Sequence, residues 1–510
     1  MFRFKWNTRG GPALAIQKKS NIILFFTDNQ QAATLGCYGN HEIYTPNLDR
    51  LAEQGVLFEN AYCPNAFCSP CRASLLTGLM PSQHGIHSWI DDRRSGEWPG
   101  GWHALANLNT LPEQLKAHGY STALTGKYHL GQPDTPMPGF DHWVTMEDGH
   151  VRSFYRNRMI ENGSTYDHEG HSVDFFTDKA IDFIRDQSAA DHPFFLYVPY
   201  PAPYGHWPAT SETDRCRHSH RYDDCQVNSI PRRGLSKPAV DGFLMRNRYS
   251  GGGLDYSMLM RAPNDLPTLR NYYAQISMVD DGVGRILAEL EKLSIEDDTL
   301  IVFTADHGLS MGHHGFWGHG AATFPSNLHH AAHSAPLIIR HGNRIEPARR
   351  CKAMVSNLDI YSTVLKFCGL DNLDQEHPLP SRSLWPLLDG QIDAWEEDAV
   401  YSEQEETRTV RTRKWAYFKR TTGTGDFEIG DELYDVEIDP EETTNLIGDS
   451  AYFEIHTQLD AMLTSFFEIH VRPEADLWRG GRPIQNSARV EFWGDKWGDD
   501  WSPIYAYDET

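Results

Sequence analysis

The chain has 510 residues, and its 46 basic and 70 acidic side chains leave a formal charge of −24, which argues against nucleic-acid binding, since that needs clustered Lys and Arg. Apolar residues at 40% and charged residues at 23% are the balance of a globular chain, not a disordered one. No apolar run approaches the roughly 20 residues that cross a bilayer, and an anionic substrate would need a locally positive pocket, which a bound cation would help to supply.

At the N-terminus Arg3, Lys5 and Arg9 precede the weakly apolar Pro12–Ile16, too short and too polar for the centre of a secretory signal. On that ground the expected compartment is cytoplasmic, with a periplasmic or secreted one as the alternative. The eight cysteines (37, 63, 68, 71, 216, 225, 351 and 368) show no repeated metal-type spacing, and a chain of this size needs no disulfide framework. Cys216 and Cys225 could pair across a loop.

Short apolar runs then alternate with longer helical patterns to about residue 390. Asn21–Phe26, Thr122–Leu124, Phe194–Val198, Thr299–Phe303 and Leu337–Ile339 read as buried strands, being short and rich in Ile, Val, Leu and Phe. Asn47–Gln54, Leu111–His118, Val173–Gln187 and Leu269–Leu293 read as helices. The alternation predicts an α/β fold, a doubly wound, mostly parallel sheet with helices on both faces. Thr210 to about Pro267 has no clear period and is read as a substrate-facing excursion, because a connection that long usually carries function or is mobile. After Asp389 the character changes. Val400–Tyr401, Thr409–Val410, Trp415–Lys419 and Glu432–Tyr434 read as short antiparallel strands and Ala451–Glu468 as an amphipathic helix. Residues 1–392 are therefore expected to form a catalytic α/β domain, and 393–510 a small α+β C-terminal subdomain. The tail with Trp493, Trp497 and Trp501 is expected to wrap the main domain.

Two strands end alike, one in Asp28-Asn29 and the other in Asp306-His307-Gly308. Strands of a parallel sheet emerge at its carboxyl edge, where open α/β folds bind ligands, so these residues can converge. Three oxygen donors and one imidazole suit calcium or magnesium better than a structural zinc. The plainer reading is that each Asp caps a helix; the matching pair weakens it. Cys68 precedes Arg72 at the start of a helical stretch. A helix N-terminus and an Arg favour an anion and would lower a thiol's pKa, whereas the ordinary fate of a lone Cys is inert burial.

The run Cys68-Ser69-Pro70-Cys71-Arg72-Ala73-Ser74-Leu75-Leu76-Thr77-Gly78 resembles the sulfatase signature C-x-P-x-R followed by x-x-L-L-T-G. Gly119–Gly131, with Lys127 and His129, is similar to that family's second motif. Tyr273–Arg285 and Glu432–Leu446 are similar to two further segments, so the likeness spans most of the chain. The resemblance implies an alkaline-phosphatase-like fold and a calcium ion (magnesium the alternative) held by Asp28, Asn29, Asp306, His307 and the residue-68 side chain. It also implies a formylglycine made from Cys68 by a maturation enzyme, whose hydrate supplies the nucleophilic oxygen. Arg72, Lys127, His129, His206 and His319 are the implied catalytic residues, and a sulfated small molecule or oligosaccharide is the implied substrate, with a carbohydrate favoured. Three departures stand out. Asn29 takes the place of a second Asp, and Ala202-Pro203-Tyr204-Gly205-His206 replaces the usual Pro-His-x-Pro, so that His206 is shifted or Tyr204 stands in. His319 stands where a lysine is usual, while His313, His314, His329, His330 and His333 read as ordinary loop or helix-face histidines. The competing readings are a phosphonate monoester or phosphodiester hydrolase on the same fold, and a non-catalytic sulfated-glycan binder.

Overall fold

The computed structural model describes residues 19–90, 96, 98–147, 149–190, 192–205, 215–249, 264–370, 378–395, 398–422, 429–482 and 489–504. The N-terminal basic run, His206 and Gly251–Gly253 lie outside them. Among the described residues ten strands form the central sheet. Their order is β12 (Arg349–Ser356), β2 (Val56–Tyr62), β11 (Leu337–Arg340), β8 (Thr299–Ala305), β1 (Asn21–Asp28), β7 (Phe194–Pro203), β3 (Ser121–Thr125), β4 (His142–Met146), β5 (Asn157–Glu161) and β6 (Ser164–His168). β8, β1, β7, β3 and β4 run parallel in one block. β11 lies antiparallel between β8 and β2, so Leu337–Ile339 is a strand as expected but reversed.

The apolar runs are explained by burial on both faces. Ile22, Leu24 and Phe26 of β1 enter one core and Ile23 and Phe25 the other. β8 does the same, with Leu300 and Val302 on one side and Ile301 and Phe303 on the other. Each such side chain contributes roughly 1.5–3 kcal/mol on leaving water. Helices Ser172–Ser188 and Leu266–Lys292 cover the second face, and both were legible in the sequence to within a few residues.

A smaller antiparallel sheet, β13 (Ala399–Gln404), β14 (Thr407–Thr412), β15 (Trp415–Arg420) and β16 (Glu432–Asp435), carries helix Phe453–Ile469. Phe418 and Tyr434 of this sheet join the main core. In the tail, Trp493 and Trp501 pack with Phe324 and Leu477, and Val490–Trp497 is helical, a helix its irregular sequence concealed. Lys237–Tyr249, inside the stretch read as aperiodic, is also helical. Around it the chain is anchored: Tyr222 Oη lies 2.6 Å from Ser277 Oγ, and Phe324 N–H donates to Pro238 O. Cys216 and Cys225 are free thiols. No described helix is long and apolar enough to cross a membrane.

One glycine is dictated by close approach. At Gly126, where β3 ends, φ is +151° and a Cβ would lie 2.1 Å from Pro199 O, while Lys127 N–H donates to that same carbonyl at 2.7 Å. Gly126→Ala should therefore destabilise the protein by about 1–3 kcal/mol, the scale of overpacking, read as a lower denaturation midpoint in urea.

Candidate active site

The parallel block releases its chains at one edge, and five neighbouring strands each bring polar side chains to it. β1 leads to Asp28 and Asn29, β8 to Asp306 and His307, β3 to Lys127 and His129, β7 to Tyr204 and β4 to His150. Asn29 and His129 hold φ of 60° and 56°, a left-handed backbone that non-glycine residues adopt where surroundings enforce it. β2 feeds the loop before Cys68, the first residue of helix Cys68–Thr77, all ten residues of which are buried.

These groups meet at the Cys68 sulfur. Sγ lies 3.4 Å from Asp28 Oδ1, 3.5 Å from His307 Nε2 and 3.9 Å from Asn29 Oδ1. Asp306 Oδ1 accepts the Asn29 and His307 backbone N–H groups at 2.9 and 2.8 Å. Two cations balance the carboxylates. Arg72 reaches Asp306 at 3.0 Å and Asp28 at 3.6 Å, and Lys127 reaches Asp28 at 2.6 Å. All four side chains are essentially unexposed, the condition under which a buried charge must be paired. Cys71 donates to Asp306 O.

The electrostatics correct one expectation. Burial, and after it the Asp28 carboxylate, push the Cys68 thiol well above its usual range despite Lys127 and Arg72. The helix N-terminus and Arg72 do not activate this thiol, because burial outweighs them and the carboxylates of Asp28 and Asp306 add to it. Asp306 is held below the ordinary carboxylate range although burial opposes it, since Arg72 and Lys127 favour its charge.

The imidazoles are set by carbonyls, which can only accept. His307 Nδ1 faces Gly308 O at 2.8 Å, so Nδ1 carries the proton and the Nε2 lone pair faces the cluster. His129 Nε2 faces Ile90 O at 3.1 Å, so its Nδ1 is a lone pair, buried and without a partner among the described residues. Burial first, then Lys127 and Arg72, keep His129 well below the ordinary histidine range. His319 packs on Phe67, ring centroids 4.3 Å apart, and edge-on to His307 at 5.6 Å. Its Nδ1 accepts from Ala321 N–H, and Gly320 N–H ties the loop to Ala66 O.

Among the sequence-derived candidates, the structure thus brings together Asp28, Asn29, Cys68, Arg72, Lys127, His129, Asp306, His307 and His319; His206 lies outside the described residues. Tyr204 lies with its ring 5.3 Å from Lys127 Nζ. His150 and Trp89 were missed. Trp89 packs against His129 and His150, and neither residue stands in a motif; recognising β4 as a fifth parallel strand was the signal that would have pointed to His150. His314 and His329 pack against each other, and His329 faces Glu432 at 3.1 Å. His330 and His333 flank Tyr62, all away from the cluster.

Comparison with known proteins accords with this geometry. Residues 20–370 match the sulfatase family model, and residues 323–468 match the N-sulphoglucosamine sulphohydrolase C-terminal model. An N-acetylglucosamine-6-O-sulfatase of Bacteroides thetaiotaomicron is 26% identical over 88% of this chain and 86% of its own. A solved structure of a protein in complex with its substrate D-glucosamine-2-N,6-O-disulfate superposes with a TM-score of 0.68 at 25% identity, covering 89% of this chain and 98% of the other. A phosphonate monoester hydrolase of Agrobacterium radiobacter shares the fold, with a TM-score of 0.67 at 21% identity over 89% of this chain and 96% of its own. The chain belongs to the sulfatase family. It is a sulfuric ester hydrolase on an alkaline-phosphatase-like α/β fold.

Removing Arg72 would leave Asp306 buried without its nearest guanidinium. Arg72→Ala should cost about 3–5 kcal/mol of stability, the usual consequence of breaking a buried pair, measurable by equilibrium denaturation of the unmodified protein.

Proposed function

We propose that this sulfatase cleaves a sulfate ester of an amino sugar, using a formylglycine made from Cys68 and a divalent cation, calcium in the first place. The observation that carries this reading is the convergence of Asp28, Asn29 and His307 on the Cys68 sulfur at the head of the C-x-P-x-R run.

The donor set fits a hard dication. Cys68, Asp306 and His307 offer buried ligand atoms within 4.8 Å of one another, and Asp28 and Asn29 add oxygens on the same side. Two carboxylates, an amide oxygen and an imidazole lone pair are an oxygen-dominated set of the kind calcium takes. When formed and bound, the formylglycine and the cation supply the nucleophilic oxygen and a Lewis acid toward the sulfate oxygens.

The chain's own residues do the rest. Lys127, Arg72 and His319 surround the cluster with donors suited to a sulfate, and preorganised donors in a buried site usually lower the barrier of such reactions more than any other single effect. Asp28 and Asp306 fix the two cations, so no reorganisation is needed when charge builds. His129, neutral and with Nδ1 turned away from Ile90, is the residue able to take up a proton and release it to the departing sulfate. The leaving alcohol needs a proton donor at the mouth, a role for His206 or for Tyr204 beside Lys127.

The amino-sugar assignment is supported by the substrates named for the relatives and by aromatic faces at the site. Trp89 and Tyr204 are half-buried beside the histidines, the kind of surface on which sugar rings stack. A phosphodiesterase reading shares the fold and the neutral Asn29. Relative rates on N-acetylglucosamine 6-sulfate, N-acetylgalactosamine 6-sulfate and an aryl phosphodiester separate the two.

Cys68→Ala should abolish turnover and keep the native circular dichroism spectrum. Peptide mass spectrometry after co-expression with a formylglycine-generating enzyme should show residue 68 as the aldehyde. A fully active Cys68→Ala protein would sink the proposal. Asp28→Ala and Asp306→Ala should lose bound calcium and activity together, each taking away a ligand and a charge, whereas Asn29→Asp should keep both. Elemental analysis of the purified variants gives the metal content independently of rate.

A further inference from the structure

The motif-derived machinery gives no role to His150, a buried titratable group at the site. His150 stands in the segment that follows β4 and is 7% exposed. Its ring meets His129 edge-on with centroids 4.4 Å apart, Tyr204 edge-on at 5.3 Å, and Trp89 at 6.4 Å. His150 thus completes a wall of two imidazoles and two larger aromatic rings beside the lysine.

Its protonation pattern is set by one contact. Nδ1 lies 2.9 Å from Val151 O, and a carbonyl only accepts, so Nδ1 carries the proton of the neutral ring. Nε2 is then a lone pair, with no hydrogen-bond partner among the described residues. A neutral ring in this tautomer has no proton to give from Nε2, which excludes it as donor to the leaving oxygen. It can accept. Atoms near a sulfate ester on an amino sugar carry hydroxyl and amide N–H donors, and a site built to bind such a donor discriminates strongly against ligands that lack it.

We propose that His150 is a specificity-determining residue whose Nε2 accepts a hydrogen bond from a hydroxyl or amide N–H of the sugar, while Trp89 and Tyr204 flank the ring. The inference deepens the amino-sugar reading above and rests on it. Burial first, then Lys127 and His129, hold His150 well below the ordinary histidine range, with Arg152 acting the same way and Asp28 opposing. A group lowered in this way stays neutral, and so an acceptor, through neutral pH. The acceptor disappears as pH falls through its lowered pKa.

The test compares the mature enzyme with His150→Phe, which keeps the ring packing and removes the acceptor, and with His150→Gln, which keeps an acceptor. Each is assayed on N-acetylglucosamine 6-sulfate and on 4-nitrophenyl sulfate, which offers no such donor. His150→Phe should lose about tenfold or more in kcat/KM on the sugar beyond whatever it loses on the aryl ester, mostly through KM. His150→Gln should recover most of that difference. The preference of the parent enzyme for the sugar over the aryl ester should fall at acidic pH, and that pH dependence should vanish in His150→Phe. Calorimetry on the Cys68→Ala background, which binds without turnover, should show weaker sugar binding once His150→Phe is added. Equal losses on both esters, or unchanged sugar binding, would overturn the role of His150 and leave the amino-sugar reading standing. A parent enzyme that cleaves the aryl ester and no sulfated amino sugar would overturn that reading, and this inference with it.

Discussion

Asp28, Asp306, Arg72 and Lys127 form a buried quartet of two negative and two positive charges, and the architecture of the site follows from keeping them paired. An isolated charge in such a place costs several kcal/mol or neutralises itself. The pairs survive because four chain segments deliver them within 2.6 to 3.6 Å of each other. That requirement explains the parallel block. β1, β8 and β3 must emerge side by side at one edge, and helix Cys68–Thr77 must point its first turn at the same spot. The quartet is nearly neutral by itself, so the dication proposed above and a singly charged sulfate ester would together leave little net charge behind.

The rest of the molecule holds this arrangement in place. Each central strand divides its side chains between two cores, which locks the sheet between its covering layers. The small antiparallel sheet does more than append mass. Glu406, between β13 and β14, accepts from Ser326 N–H and pairs with Arg489 of the tail at 2.5 Å. Gln404 packs against Gly320 so closely that a Cβ there would lie 2.0 Å from its side-chain oxygen. The loop carrying His319 is therefore clamped between the Cys68 loop and the C-terminal sheet. A residue in place of a motif lysine is held by elements far away in sequence.

Much of this was legible in the chain because two signals are local. Runs such as Ile22–Phe26 and Leu300–Phe303 are long enough in branched and aromatic residues to declare buried strands. The Cys68-x-Pro70-x-Arg72 spacing and the Gly126-Lys127-Tyr128-His129 run carry the chemistry in a few consecutive positions. The weaker strands β2, β4, β5 and β12 do not declare themselves, since polar residues such as Glu59, Asn60 and His142 interrupt their apolar pattern. The helix Lys237–Tyr249 is hidden by Pro238 and Gly242.

By itself the sequence determined the fold class, the strand ends that bear carboxylates, and the family to which the cysteine motif belongs, because each depends on residues close together in the chain. Only the tertiary structure decided the state of those groups. The Cys68 thiol is raised and not lowered because tertiary packing buries it, and after that because Asp28 faces it across 40 positions of sequence. His150 joins the site because β4 pairs with β3, a neighbour relation without any motif. Protonation, tautomer and neighbour identity are set by what lies within a few ångströms in space, and no local pattern records that distance.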